Sequence, residues 1–209
     1  ELAAGAPYLD TYPTKTKQTN AGAYFIYNID KLPSAPAKTW KSYLDTKWQV
    51  MGDNGWDYFG RNLYAQDIDG DGVDELLGMR PADEVSGKTN GTGVVAIHKG
   101  AKGNLPSTKP ALKVPGIKGG DWFGAAAAAV GDVDKNGSPD LLVYASHEDT
   151  LGLNHGRPYI VSTAKIYSPK PLQYETKPSG SRISFALSSV GDVTGDGIVD
   201  MIVGAPYAE

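Results

Sequence analysis

Asp67-Ile68-Asp69-Gly70-Asp71-Gly72-Val73-Asp74-Glu75 places oxygen-bearing side chains at its first, third, fifth and ninth positions and glycine at its sixth. The spacing returns at Asp132-Val133-Asp134-Lys135-Asn136-Gly137-Ser138-Pro139-Asp140 and at Asp192-Val193-Thr194-Gly195-Asp196-Gly197-Ile198-Val199-Asp200. The first residues of successive loops stand 65 and 60 positions apart, a repeat with one modest change of length. Alternate oxygens on so short a segment curl around one point. Glycine at the sixth place admits the sharp turn, and a carboxylate at the ninth closes the shell. Hard oxygens in such numbers suit calcium, which accepts a flexible shell, better than magnesium, which demands a tight octahedron. A single loop of this kind also reads as a solvated Asp/Gly turn; three in phase argue for a cation. An EF-hand shares the first six positions but needs flanking helices and a carboxylate at the twelfth, where Gly78, Val143 and Val203 stand.

Working outward, each loop runs into an apolar stretch: Leu76 to Pro81, Leu141 to Ser146, and Met201 to Pro206. The opening residues, Glu1 to Pro7, repeat the last of these, so Glu1 stands where Asp200 does. Upstream of the loops come Tyr58-Phe59-Gly60, Trp122-Phe123-Gly124 and the weaker Ile183-Ser184-Phe185. Downstream come β-rich segments: Ala23 to Tyr27, Gly93 to Ile97, and Ala164-Lys165-Ile166-Tyr167. Short β-type runs between Gly, Pro, Asn and Asp clusters predict about four strands per period. The alanine run Ala125 to Ala129 favours helix by propensity alone. We read it as strand, because its counterparts in the other periods lack helix caps and an amphipathic stripe.

Composition narrows the class. Of 209 residues, 40% are hydrophobic and 21% charged, which suits a globular chain and not a disordered one. The net charge is -4 and no basic run builds a phosphate-binding stripe, so nucleic acid is not an expected partner. With no cysteine, disulfides and thiolate sites are excluded. The longest uncharged apolar stretch, Trp122 to Val130, is far shorter than the roughly 20 residues of a membrane helix. Glycine, at 26 residues, is in excess, as repeated turns require.

Phe-Gly, an acidic loop and then Gly-Ala-Pro, recurring along essentially the whole chain, resembles the FG-GAP repeat of integrin α-subunit β-propellers. The inner copies of Gly-Ala-Pro are degenerate, reading Met79-Arg80-Pro81 and Tyr144-Ala145-Ser146. The resemblance implies an all-β fold of four-stranded antiparallel blades. About three repeats are present, in phases 1–75, 76–140 and 141–200, with 201–209 beginning the next, as part of a larger propeller of around seven blades. It implies first strands within Phe59 to Gln66, Phe123 to Gly131 and Ile183 to Gly191. It also implies three calcium sites on the lower face. Their ligands would be Asp67, Asp69, Asp71, Glu75 and the Val73 carbonyl; Asp132, Asp134, Asn136, Asp140 and the Ser138 carbonyl; and Asp192, Thr194, Asp196, Asp200 and the Ile198 carbonyl. The third set, with Thr194 in place of a carboxylate or amide, is expected to bind most loosely.

Ligand contacts are expected on the opposite, upper face, whose loops carry Trp56, His147, His155 and Arg157, with Trp122 at the margin. Trp56 and Trp122 are read first as packing between blades. The three histidines, His98, His147 and His155, lack zinc-ligand spacing. No hydrolase elbow or phosphate loop stands out. The first period is longest, and its extra residues fall around Asp30 to Gly55, where Trp40 to Trp48 reads as a short helix or long hairpin. Three functions fit: an extracellular calcium-stabilised module that binds protein or glycan in adhesion, an assembly subunit that completes a propeller or filament with other chains, or a domain of a secreted hydrolase or lyase. The first is preferred, because no catalytic motif is evident. Modest calcium affinity itself points to a calcium-rich compartment outside the cell.

Overall fold

A computed structural model describes residues 2–10, 17–27, 48–52, 54–82, 91–149, 155–163, 170–171 and 187–204. Among these the regular structure is entirely strand, and no helix is long and apolar enough to cross a membrane. The strands form four antiparallel meanders in chain order. The first holds β1 (Leu2–Ala6), β2 (Ala23–Tyr27) and β3 (Trp48–Met51). The second holds β4 (Leu63–Gln66), β5 (Glu75–Arg80), β6 (Val94–His98) and β7 (Leu112–Pro115). The third holds β8 (Phe123–Ala129), β9 (Asp140–Ala145), β10 (Arg157–Ser162) and β11 (Lys170–Pro171). The fourth is the pair β12 (Leu187–Gly191) and β13 (Asp200–Val203). These sheets are β-propeller blades.

Burial explains why the strand sequences are solidly apolar where a half-exposed sheet would alternate. Every residue of β5, β6 and β9 is buried, because an inner blade is covered on both faces by its neighbours. Three cores alternate with the blades. Tyr24, Trp48 and Val50 of the first blade pack on Phe59, Leu76 and Ala96 of the second. Leu77, Met79, Val95 and Val114 of the second meet Phe123, Leu141 and Val143 of the third. Ala125, Ala126 and Tyr144 of the third receive Leu187 and Val203 of the fourth. The phenylalanines of the Phe-Gly pairs are therefore wedges between blades; the buried Arg80 guanidinium lies 4.1 Å from the Phe59 ring centre. The Asn62 side-chain amide donates to the Ala125 carbonyl, and the Trp48 indole to the Pro106 carbonyl, tying neighbouring blades further.

The alanine run is strand, as read from its counterparts. Its small side chains let β8 sit close against the second blade, and its register on β9 shifts between Phe123 and Ala126. That irregularity absorbs the one extra residue that separates Phe123 from Asp132 when compared with Phe59 and Asp67. The third strand of the third blade differs from expectation. It is Arg157–Ser162, paired with β9 from Arg157↔Ala145 to Ser162↔Asp140, whereas Ala164 to Tyr167 lies outside the described residues. The cause is local: Gly156, with φ of 77°, turns the chain into the strand as Gly93 does at 84° before β6. The expected helix or hairpin from Trp40 falls mostly on undescribed residues, and its last member, Trp48, opens β3.

Candidate cation loops and the opposite loop face

Antiparallel strands put the loops joining first to second strands at one end of every blade, together with those joining third to fourth. The three acidic loops therefore share that end, and the Phe-Gly turns lie at the other. Each acidic loop is wound by its own side chains. The first-position aspartate accepts from the sixth-position glycine amide: Gly72 to Asp67 at 2.9 Å, Gly137 to Asp132 at 2.7 Å and Gly197 to Asp192 at 2.8 Å. The fifth-position oxygen accepts from the seventh amide: Val73 to Asp71 at 2.9 Å, Ser138 to Asn136 at 2.9 Å and Ile198 to Asp196 at 2.8 Å. The ninth-position carboxylate reaches back to the second amide: Ile68 to Glu75 at 3.1 Å, Val133 to Asp140 at 2.9 Å and Val193 to Asp200 at 2.8 Å. One spacing in sequence thus produces one winding, repeated three times.

The winding crowds like charges. In the first loop carboxylate oxygens of Asp67, Asp69 and Asp71 lie within 4.8 Å of one another, and in the second those of Asp132, Asp134 and Asp140 do. Among the described residues the third loop forms no such group. Asp140 has no exposed surface; its Oδ2 takes amide hydrogens from Val133 and Asp134, while its buried Oδ1 has no hydrogen-bond partner of good geometry among the described residues. Burial holds the Asp140 carboxyl above its usual range, and the Asp134 charge adds to this. Glu75 is likewise raised by burial, against the opposing amides of Ile68 and Gly100. Asp192, at the exposed third loop, is lowered by the Gly197, Gly195 and Asp196 amides. A buried carboxylate clustered with two further carboxylates is the chemistry a hard divalent cation fits, because the ion supplies the opposite charge. Among the described residues the groups close enough to share one are Asp67, Asp69 and Asp71, and Asp132, Asp134 and Asp140, whose charges the ion would neutralise.

The opposite end carries a row of rings. Tyr8 after β1, Trp56 and Tyr58 before β4, Trp122 before β8 and His147 after β9 run across three blades. Tyr8 and Tyr58 ring centres are 5.7 Å apart, Trp56 and Tyr58 6.3 Å, Tyr58 and Trp122 6.1 Å, and Trp122 and His147 4.4 Å. Trp122 thus bridges blades as expected, but Trp56 is 57% exposed. Tyr58 is the structural counterpart of Trp122, each immediately before the wedge phenylalanine with φ of 53° and 55°. Left-handed backbone at such bulky side chains is costly and marks over-determined positions. Asp57, Asp121 and Glu148 are buried among these loops. Asp121 is pushed up to about 6, chiefly by burial, with the Glu148 and Asp149 charges adding and Lys118 opposing. His155 is fully buried, Arg157 opens β10, and His98 is a core residue whose Nδ1 lies 2.8 Å from the Ser107 carbonyl oxygen. The Tyr58 and Asp121 contributions were missed in the sequence, although the recurring Asp before the aromatic–Phe–Gly triplet was visible at Asp57 and Asp121.

Antiparallel sheets of up to four described strands, three of them with an oxygen-rich loop between consecutive strands, define a repeat β-propeller. Residues 186–209 match the FG-GAP repeat family. Integrin alpha-IIb of Mus musculus is 28% identical over 169 residues, 78% of this chain and 16% of that protein. Integrin alpha-PS5 of Drosophila melanogaster is 28% identical over 196 residues, 87% and 19% respectively. Integrin alpha-PS2 of the same species is 30% identical over 173 residues, 76% and 12%. The chain belongs to the integrin α-like FG-GAP repeat family. It spans less than a fifth of the length of these relatives.

Proposed function

We propose that this chain is an extracellular, calcium-binding propeller module of the adhesion type, in which calcium stiffens one end of the blades and the aromatic loops at the other end meet a protein ligand. The observation that supports the calcium part is the clustering of carboxylate oxygens of Asp132, Asp134 and the buried Asp140 within 4.8 Å of one another. Calcium would be held by Asp67, Asp69, Asp71 and Glu75, by Asp132, Asp134, Asn136 and Asp140, and by Asp192, Thr194, Asp196 and Asp200, with the carbonyls of Val73, Ser138 and Ile198. The ligand part is supported by the exposed rings of Tyr8 and Trp56 beside buried carboxyls, a surface suited to apolar and basic side chains of a protein.

Ion binding to the folded state alone raises stability. The melting temperature is expected to fall in excess chelator and to recover with calcium; an unchanged melt together with no metal by elemental analysis overturns the calcium reading. For the ligand part, cells are expected to adhere to the immobilised chain, with adhesion lost in Trp56→Ala. Adhesion abolished by deglycosylating the cells assigns the surface to glycan instead.

A second reading, assembly with other chains, is favoured by one observation. Ile202 of β13 is 57% exposed, while its counterparts Leu77 and Leu142 are fully buried between blades. That face is made like a blade interface.

A further inference from the structure

We propose that Lys99 sets the charge of the first acidic loop, and with it how tightly that loop holds a divalent cation; the inference rests on the calcium reading above. Lys99 follows β6, and the β5–β6 ladder pairs Leu76 with His98, so one step on Lys99 stands opposite Glu75, the ninth loop residue. In the next blade Ser162 stands opposite Asp140, the ninth residue of its own loop. The two positions are equivalent, and each side chain turns to its own loop, Lys99 to the third residue and less closely to the fifth, Ser162 to the fifth. Lys99 Nζ lies 2.6 Å from Asp69 Oδ2 and 3.4 Å from Asp71 Oδ2, and Ser162 Oγ accepts from Asn136 Nδ2 at 2.7 Å.

The pairs are matched in charge. Where the third strand brings an ammonium, the fifth loop residue is Asp71; where it brings a hydroxyl, that residue is Asn136. At the ligand positions alone, Asp67, Asp69, Asp71 and Glu75 less the Lys99 charge leave three negative charges, as do Asp132, Asp134 and Asp140 in the second loop, while Asp74 adds one to the first loop and Lys135 removes one from the second. Asp192, Asp196 and Asp200 give the third loop three as well. Lys99 is an affinity-determining residue: its ammonium holds the carboxylates that a cation would use and repels the cation by direct charge.

The test uses the whole chain, because each loop reports on itself. The amides of Gly72, Gly137 and Gly197 each donate to the first aspartate of their own loop, so their resonances follow loops one, two and three as calcium chloride is added. In Lys99→Ser the Gly72 midpoint is expected to move to roughly tenfold lower calcium, the order for one unit charge acting on a doubly charged ion a few ångström away in a water-like dielectric. Gly137 should not move. Asp71→Asn should weaken the first loop, and Asp71→Asn with Lys99→Ser, which restores three net charges, should return the midpoint close to the original. A Gly72 midpoint unchanged in Lys99→Ser, or a double variant as weak as Asp71→Asn alone, overturns the role of Lys99 while calcium binding stands. Calcium that moves none of the three glycines overturns the calcium reading and Lys99 with it.

Discussion

Asp121 is 5% exposed at the foot of the aromatic row, with Glu148 and Asp149 nearby and only Lys118 opposing, and its carboxyl is held at about 6 against an ordinary 3.8. Because the folded value is the higher one, the fold favours the protonated form. The stability this gives is full below about pH 4 and is lost as pH rises through about 6. At neutral pH the buried carboxylate is a net cost. Asp121→Asn keeps the shape and removes the charge, so it should raise stability at pH 7 by about 1–3 kcal/mol and converge on the parent below pH 4. Urea denaturation of both proteins from pH 3.5 to 8 checks this, and a difference that does not change with pH contradicts it.

At the scale of the element, the winding of the acidic loops was legible because it needs oxygen acceptors at fixed intervals and glycine at the turn. The first, third, fifth, sixth and ninth places carry the whole instruction, and all three loops wind alike. Strand ends were less legible. Arg157-Pro158 is a weak strand opening by local preference, yet β10 begins there, because tertiary pairing with β9 overrides that preference. The better signal was glycine. Gly93 enters β6 at φ of 84°, and a Cβ there would overlap the Phe123 carbonyl group of the next blade. Gly103 has a similar φ of 72° but open space around it. Gly103→Ala should therefore cost only the backbone term, about 1 kcal/mol, whereas Gly93→Ala should cost more than about 2 kcal/mol. Equal losses in urea unfolding would show that the close approach of the blades contributes nothing.

For the whole molecule, the period announced the propeller, but the alternation of cores between blades had to be seen in space, since each core draws residues from segments far apart in sequence. That alternation gives meaning to the fourth sheet. Leu187 and Val203 pack inward on Ala125, Ala126 and Tyr144, while Val190 and Ile202 on the other side are 42% and 57% exposed. Among the described residues β13 pairs on one side only, with β12. An apolar sheet face beside an unpaired strand is a template for another sheet. The 209-residue chain is therefore expected to self-associate at tens of micromolar, read by sedimentation velocity. Ile202→Lys should shift it to the monomer without lowering the melting temperature, because the side chain leaves no core when replaced. Two outcomes separate the readings: a parent chain that stays monomeric throughout sinks the assembly idea, and an Ile202→Lys variant that associates as strongly as the parent moves the contact away from β13.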